Sequence, residues 1–186
     1  MTLNSQITSL SEYNFNCRVS LTDLDTRLKV IDNKIFKCKN KRGCLLCDKV
    51  VTNSTFHSTS TNRTYTSIIP SNVEKVDCDT ANCIYMITCC KCNLQYVGET
   101  AQPLKRRYAK HRECLQHLNK DNTCKILSDH FNSPLCKNSS FSINIIEKLP
   151  GDGRDENGAL DTATSKIRRE KELKYIENVF KGNNYP

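Results

Sequence analysis

The sequence predicts a small α+β domain preceded by a Cys-rich zinc knuckle. The first observation is the order strand, strand, helix, linking segment, strand and helix within residues 81–186. The second is a group of closely spaced cysteines ahead of the first of these strands, with the spacing of a metal-binding knuckle. We therefore divide the chain into residues 1–35, a polar helical segment or linker, residues 36–80, a Cys-rich zinc-binding linker module, and the α+β domain.

Length and composition leave room for one domain and a smaller appendage. The 186 residues are 37% hydrophobic and include no tryptophan, so something besides apolar burial is expected to stabilise part of the chain. The formal net charge of +8 suits a polyanionic partner. No apolar run approaches the roughly 20 residues that span a bilayer, and the residues after Met1 are polar, unlike a secretory signal. We expect an intracellular protein, nuclear or cytoplasmic, without membrane contact.

Cysteine is abundant, with twelve residues in the chain. In a reducing compartment, paired cysteines are more often metal ligands than disulfides. We therefore expect metal sites. The alternative is a secreted domain held together by disulfides, and the polar N-terminus argues against it.

The N-terminal segment, residues 1–34, is polar and carries Leu21, Leu24, Leu28 and Ile31 at helical spacing. This pattern indicates one amphipathic helix or the trailing end of a larger upstream protein. It indicates no function.

The knuckle consists of Cys38, Cys44 and Cys47 in a Cys-x5-Cys-x2-Cys pattern. Tetrahedral zinc needs a fourth ligand, for which His57 and Cys78 are the candidates. The intervening segment is rich in Thr and Ser with alternating apolar residues, which predicts a β-hairpin. A hairpin would return the chain toward the knuckle, so Cys78 is favoured.

Two short apolar strands, residues 84–88 and residues 95–98, flank a Cys-rich turn, and each carries one tyrosine, Tyr85 and Tyr96. A basic helix follows. Two phenols on adjacent strands lie near one another if the strands pair, so these tyrosines are candidate functional residues.

The basic helix carries Arg107 and His111 four residues apart, so both project from one face. Together with the two phenols they would suit the handling of a phosphodiester. Arg106 is the alternative candidate for the site arginine. Arg107 is preferred because it lies one turn from His111. The other basic residues form either a solvated face or a DNA-backbone contact that salt would weaken. They are Lys105, Arg106, Lys110 and Arg112.

A second metal site is predicted from Cys89 and Cys92 in the turn and from His130 and Cys136 downstream. Two ligands from a strand turn and two from beyond the helix would form a closed four-ligand zinc site. The spacing also allows Cys90 to replace a neighbouring ligand.

The C-terminal half supplies the last strand and helix. Residues 140–149 alternate and are β-branched, which predicts a third strand. Residues 150–158 are rich in turn formers and predict a loop. Residues 164–180 have apolar residues at helical spacing, with Thr164 or Ser165 as the predicted N-cap.

Four stretches in this order resemble the GIY-YIG nuclease superfamily, and more closely the endonuclease domain of Penelope-like retroelements. The stretches are Ile84-Tyr85-Met86-Ile87, Cys89-Cys90-Lys91-Cys92, Gln95-Tyr96-Val97-Gly98-Glu99-Thr100, and Arg107 with His111. The resemblance runs from about Phe36 to the C-terminus. It implies a GIY-YIG α/β sandwich, in which flanking helices cover a three-stranded antiparallel sheet. Penelope-like domains also have a similar knuckle and a similar inserted zinc site, usually with two histidines, and Cys136 stands where the second would be.

The resemblance implies a DNA endonuclease of mobile-element or viral type that depends on Mg²⁺ or Mn²⁺ and makes nicks. Up to two Zn²⁺ ions would be structural. The family's metal-binding glutamate stands a few residues before an aromatic-Ile pair, which here maps to Glu172 before Tyr175-Ile176. Glu170 would lie about 200° around the helix from Glu172, on the solvated face.

The resemblance also assigns roles to the tyrosines and to the helix. Tyr96 or Tyr85 would orient the nucleophilic water or act as a general base. Arg107 would stabilise the scissile phosphate, and His111 would hydrogen-bond a tyrosine or take a proton. DNA is the expected partner, together with an upstream reverse transcriptase or another element-encoded protein.

One departure from the family pattern concerns the C-terminus. The family ends in a Pro-x-Gly-Leu-Asn-like motif whose asparagine supports the active site, whereas this chain stops at Pro186 and neither Asn183 nor Asn184 matches. We expect either a truncated gene or reduced activity. The alternative function is a catalytically inactive, zinc-stabilised module that binds nucleic acid.

Overall fold

The computed structural model describes residues 34–38, 43–116 and 125–179. The helix predicted around Leu21 to Ile31 and the C-terminal Asn183 and Asn184 lie outside these residues. No helix in the described ranges combines the length and the apolarity of a bilayer-crossing segment.

The described residues form five strands and three helices in an α+β arrangement, which confirms the predicted fold class. The strands are β1 (Thr55–Ser58), β2 (Arg63–Thr66), β3 (Cys83–Cys89), β4 (Gln95–Thr100) and β5 (Phe141–Lys148), and the helices are α1 (Leu104–Gln116), α2 (Lys125–Asn132) and α3 (Thr162–Asn178). Strands β1 and β2 form the predicted hairpin. Helix α2 was not predicted as a separate element.

The main sheet has the antiparallel order β4-β3-β5, with β3 in the centre. Six of the seven residues of β3 are buried because the strand has neighbours on both sides and layers on both faces. In the β3–β4 ladder, Tyr85 pairs with Gly98 and Ile87 pairs with Tyr96. The hydrogen-bonding register therefore brings the two predicted tyrosines to neighbouring positions.

Side-chain alternation along β3 produces two apolar cores, one on each face of the sheet. Tyr85 and Ile87 belong to the core that also contains residues of α1 and α2. Ile84 and Met86 belong to the core that packs against α3 and the β1–β2 hairpin. The candidate site is therefore built on the α1 face, while α3 covers the opposite face.

The segment ahead of β3 packs along β5. The backbone N–H of Val51 donates to the Ile143 carbonyl at 2.9 Å, and the backbone N–H of Ile68 donates to the Ile146 carbonyl at 2.9 Å. The Ser67 hydroxyl donates to the Ile145 carbonyl at 2.8 Å. The predicted Cys-rich module therefore shares backbone hydrogen bonds with the sheet.

Helix α3 begins earlier than predicted and has a different N-cap. The Asp161 carboxylate accepts from the backbone N–H of Ala163 at 3.1 Å and from that of Thr164 at 3.0 Å. The prediction of Thr164 or Ser165 as the cap was therefore wrong. The reason is that the first helical turn starts at Thr162, so both predicted caps lie inside the helix.

Candidate active site and metal centres

The candidate site is centred on Tyr85, a fully buried residue of the central strand. The Arg107 Nε–H donates to the Tyr85 Oη at 3.1 Å. The same Oη lies 2.7 Å from Nε2 of His111. Because Arg107 and His111 lie one turn apart on α1, both reach a single phenol on β3.

The protonation of this cluster follows from its burial. His111 is 1% exposed, and burial together with the positive charge of Arg107 lowers the pKa of His111 to about 3. The imidazole is therefore neutral at neutral pH. Burial raises the pKa of Tyr85 more than Arg107 lowers it, so the phenol keeps its proton. The Tyr85 hydroxyl and Nε2 of His111 therefore share a hydrogen bond between two neutral groups.

Gly98 allows the two tyrosines to approach. A Cβ at Gly98 would lie 2.6 Å from the Tyr85 Oη and 2.9 Å from Cε1 of Tyr96, well inside van der Waals contact. The Tyr96 ring is half-buried and packs edge-on against His111, with 6.2 Å between the ring centroids. Any side chain at position 98 would therefore displace one phenol or the other.

Glu172 lies on α3 and is half-buried. Its carboxyl accepts a hydrogen bond from the backbone N–H of Glu99, a residue of edge strand β4, and interacts with the positive charge of Arg107. Burial and the negative charge of Glu99 raise the pKa of Glu172, although this hydrogen bond and Arg107 act in the opposite direction. Glu172 thus lies within electrostatic reach of Arg107, even though α3 packs on the other face of the sheet. Glu170 is exposed.

The basic residues of α1 point in different directions. Arg106 and Lys110 are exposed and lie on the Arg107 side of the helix at 100° per residue. Lys105 forms an ion pair with Asp79. Lys105 and Arg112 line a cavity of about 380 Å³ beside Cys44. The four residues predicted to contact the DNA backbone therefore divide between two sides of α1.

The first candidate metal site contains the four predicted cysteines, whose sulfur atoms all lie within 4.8 Å of one another. The Sγ of Cys47 lies 3.2 Å from that of Cys38 and 3.6 Å from that of Cys78. Four thiolates around one zinc would have Sγ atoms about 3.8 Å apart, whereas a disulfide bond is about 2.05 Å long. The group therefore fits a metal ion better than disulfides. It consists of Cys38, Cys44, Cys47 and Cys78.

His57 does not belong to this group. Its side chain is exposed, and its Nδ1 lies 3.5 Å from the Thr64 hydroxyl across the β1–β2 hairpin. Cys78 is instead the fourth member, as the hairpin argument favoured. Its carbonyl accepts from the backbone N–H of Lys105 at 2.8 Å, which links the knuckle to the first turn of α1.

The second candidate metal site also contains its four predicted residues, with all potential ligand atoms within 4.8 Å of one another. The Cys89 and Cys136 Sγ atoms lie 3.9 Å apart, and the Cys92 Sγ lies 3.5 Å from Nε2 of His130. These spacings fit a tetrahedral zinc site. Cys90 is exposed and is not a member of the group.

The environment of Cys89 favours a metal ligand. Burial raises the pKa of its thiol, but hydrogen bonds from Ser139 and His130 outweigh burial and lower the pKa to about 6. The thiolate, which is the form that binds zinc, is therefore favoured at neutral pH.

Sequence reasoning missed the polar residues that hold α3 against the sheet. Arg168 is 3% exposed; its Nε donates to the Glu99 carboxylate at 2.7 Å and its Nη1 donates to the Asn82 side-chain oxygen at 3.0 Å. On the same helix, Lys171 contacts the buried Glu147. In the sequence, the feature that could have revealed Arg168 is its position four residues before Glu172, on the same face of the helix.

The comparisons with known proteins agree with this geometry. A family model described as the GIY-YIG catalytic domain matches residues 81–184, a range that includes every element from β3 to α3. Searches of curated proteins and of solved structures returned no significant match. The family match covers more than half of the chain and indicates a nuclease-type activity. The chain belongs to the GIY-YIG family.

Proposed function

We propose that this protein is a divalent-metal-dependent endonuclease that nicks DNA. The observation that carries the proposal is the hydrogen-bonded cluster of Tyr85, Arg107 and His111. The positive charge of the same arginine also acts on the carboxyl group of Glu172. Phosphodiester hydrolysis requires an oriented water and neutralisation of the charge that develops on phosphorus. A phenol, a guanidinium and a carboxylate are the groups that meet those requirements. A single such cluster per chain would act on one strand at a time.

The two tyrosines are assigned different roles because their exposure differs. Tyr96 is half-buried on an edge strand, so its hydroxyl would contact the attacking water. Tyr85 is fully buried and bonded to both helix residues, so it would hold Arg107 and His111 in position. Arg107 would stabilise the negative charge of the scissile phosphate.

Glu172 would hold the catalytic cation. A carboxylate oxygen suits the hard cations Mg²⁺ and Mn²⁺, which when bound would supply charge neutralisation and a more acidic water. The backbone N–H of Glu99 favours the ionised form of the carboxyl group. The raised pKa of Glu172 means that it ionises at a higher pH than an ordinary carboxyl, so cation binding would weaken in mild acid.

The two cysteine-containing centres would be structural zinc sites. Each offers four protein ligands, so neither leaves an open position for substrate or water. Their proposed contribution is to hold the knuckle against α1 and to hold the β3–β4 turn near β5.

The proposed contact with the DNA backbone is made by Arg106 and Lys110, beside the cluster of Tyr85, Arg107 and His111.

The experiment is a nicking assay on supercoiled plasmid with Mg²⁺ or Mn²⁺. Glu172→Ala should lower the rate by roughly 100-fold or more, because it removes the cation's carboxylate. Glu170→Ala is the matched control, since it removes an exposed carboxylate from the same helix and should keep the wild-type rate. No cleavage by wild-type protein that still binds DNA would support the inactive nucleic-acid-binding module instead.

A mobile-element origin is also part of the proposal. It is supported by the resemblance to Penelope-like endonuclease domains in the Cys knuckle and in the Cys89-Cys90-Lys91-Cys92 turn. Such a protein would act in the nucleus or cytoplasm beside a reverse transcriptase or another element-encoded protein. Reading the coding sequence on either side of the gene tests this. Flanking genes without any element-encoded function would contradict it.

A further inference from the structure

Glu147 is a buried carboxylate at the end of β5, with 6% of its surface exposed. Its Oε1 lies 2.5 Å from Lys171 Nζ, and its Oε2 accepts from the Tyr175 hydroxyl at 3.0 Å. Both oxygens are therefore bonded to side chains of α3. Burying a carboxylate is costly, and an apolar residue of similar size would pack against the helix without that cost. The contacts of Glu147 therefore indicate that this residue is needed to position α3 rather than to pack against it.

The two partners of Glu147 restrict how α3 can move. Lys171 and Tyr175 lie one turn apart, so one carboxylate fixes both the height and the rotation of the helix at that turn. Arg168 is bonded to Glu99 on β4, and β4 and β5 flank opposite sides of β3. The helix is thus held at both flanking strands. A rotation by one residue, 100°, would break these contacts.

Glu172 lies within this doubly held stretch, directly after Lys171 and three residues before Tyr175. We propose that Glu147 is a positioning residue that fixes the rotation of α3 through Lys171 and Tyr175 and thereby sets the direction of the Glu172 side chain. Glu147 would not touch the substrate or the reacting atoms. This inference rests on the proposed function, because it presumes that Glu172 holds a divalent cation.

The test measures Mn²⁺ binding to the zinc-loaded full-length chain by electron paramagnetic resonance of the free ion. The difference between wild type and Glu172→Ala gives the occupancy of the Glu172 site. Lys171→Met and Glu147→Met should raise the Mn²⁺ concentration for half occupancy by about tenfold, the size expected for losing a residue that orients a ligand. Glu147→Gln keeps an oxygen for the Tyr175 hydroxyl and should bind Mn²⁺ more tightly than Glu147→Met.

Two matched controls separate positioning from general destabilisation. Lys174→Met removes an exposed lysine from the same helix, and Tyr65→Phe removes a hydroxyl that contacts Thr61 on the same face of the sheet. Both should keep the wild-type midpoint. Tyr175→Phe also removes one tyrosine hydroxyl, but this hydroxyl contacts Glu147, so the substitution should raise the Mn²⁺ midpoint. If Glu147→Met fails to fold, Lys171→Met decides, because Lys171 is 41% exposed.

Cleavage gives a second readout. A positioning defect should be overcome at high Mn²⁺, so Lys171→Met should regain most of the wild-type nicking rate, while the affinity for DNA stays unchanged. Wild-type Mn²⁺ midpoints for both Lys171→Met and Tyr175→Phe would overturn the inference and leave the proposed nuclease intact. A wild-type protein without Glu172-dependent Mn²⁺ binding would overturn both.

Discussion

Gly98 shows how a single residue limits the candidate site. Its absent side chain leaves room for the Tyr85 hydroxyl and the Tyr96 ring, which would lie 2.6 Å and 2.9 Å from a Cβ. The Tyr85 side chain is fully buried and cannot move away without breaking its hydrogen bonds to Arg107 and His111. The glycine is therefore required by packing between side chains rather than by backbone conformation.

Gly98→Ala should consequently impair cleavage more than stability. Overpacking of this kind costs about 1–3 kcal/mol of unfolding free energy, whereas a displacement of about 1 Å in a catalytic group can cost roughly 100-fold in rate. Nicking rates and urea denaturation of the same preparation measure both effects. Wild-type cleavage by a folded Gly98→Ala protein would show that the tyrosines are not held at the distances described.

His111 should make stability depend on pH. Its pKa is about 3 in the folded chain and about 6.5 when unfolded, so only the unfolded chain takes up this proton as the pH falls below about 6.5. The stabilising contribution is therefore complete above that pH and is lost as the pH falls toward 3. Between about pH 7 and pH 5 the expected loss is about 2 kcal/mol.

Urea denaturation of wild type and His111→Gln at both pH values checks this expectation. The glutamine presents a polar atom to the Tyr85 hydroxyl but does not titrate, so it should lose less stability between the two pH values. Metal release in acid affects both proteins alike and cancels in the comparison. Equal losses for the two proteins would mean that His111 titrates normally in the folded state.

Single residues were predictable where the chemistry has a sequence pattern. The spacing of Arg107 and His111, the two tyrosines and the eight cluster residues all follow from periodicity, paired cysteines or the family resemblance. Arg168 and Glu147 were missed because their contacts join α3 to strands 69 and 24 residues away in the sequence. No local pattern reveals which charged residue of a helix turns inward.

At the level of elements, helix α3 is held by a cap and by polar contacts rather than by a continuous apolar face. Ile167 and Leu173 are 46% and 55% exposed, while Arg168 is buried. The apolar spacing that predicted the helix was sufficient to show that it exists, but it did not show its orientation. The predicted start is late because Asp161 and Thr162 precede the first apolar residue of the helical pattern, Ile167.

Asp161→Ala should therefore lower the free energy of unfolding by about 1 kcal/mol, because two backbone N–H groups of the first turn lose their acceptor. Thr162→Ala is the control, as an exposed neighbour whose side chain does not cap the helix. Urea denaturation at neutral pH measures the difference. An equal stability of the two variants would contradict the assignment of Asp161 as the N-cap.

The strands were the most predictable elements, since β3, β4 and β5 fall within a few residues of the predicted ranges. A central strand is apolar along most of its length, and β-branched residues are common in its neighbours; both patterns are local. Helix α2 was missed because its eight residues span only about two turns, too few for a clear helical periodicity.

At the scale of the whole molecule, the two cysteine-containing centres connect segments that the sheet alone does not join. The first links the knuckle to Cys78, whose carbonyl is bonded to α1. The second links the β3–β4 turn to α2 and to Cys136, shortly before β5. Both lie on the α1 side of the sheet, where Cys38, Cys47, Cys89 and Cys136 are part of the same apolar core as Tyr85. Metal binding is therefore expected to support the candidate site as well as the fold.

Cysteine variants of the second centre test this coupling. Cys136→Ser should halve the zinc content, from about two ions per chain to about one, because a hydroxyl replaces a buried thiolate ligand. Cys90→Ser is the matched control, since it changes an exposed cysteine of the same region that lies outside the cluster. Elemental analysis measures the zinc content of both proteins, and thermal unfolding measures their stability. Loss of zinc from Cys90→Ser instead would assign Cys90 as the ligand. Two ions retained by both variants would show that zinc binding does not require Cys136. Because the Cys89 thiolate and the Tyr85 phenol belong to one strand, the loss of zinc from Cys136→Ser should also slow nicking, whereas Cys90→Ser should nick DNA at the wild-type rate.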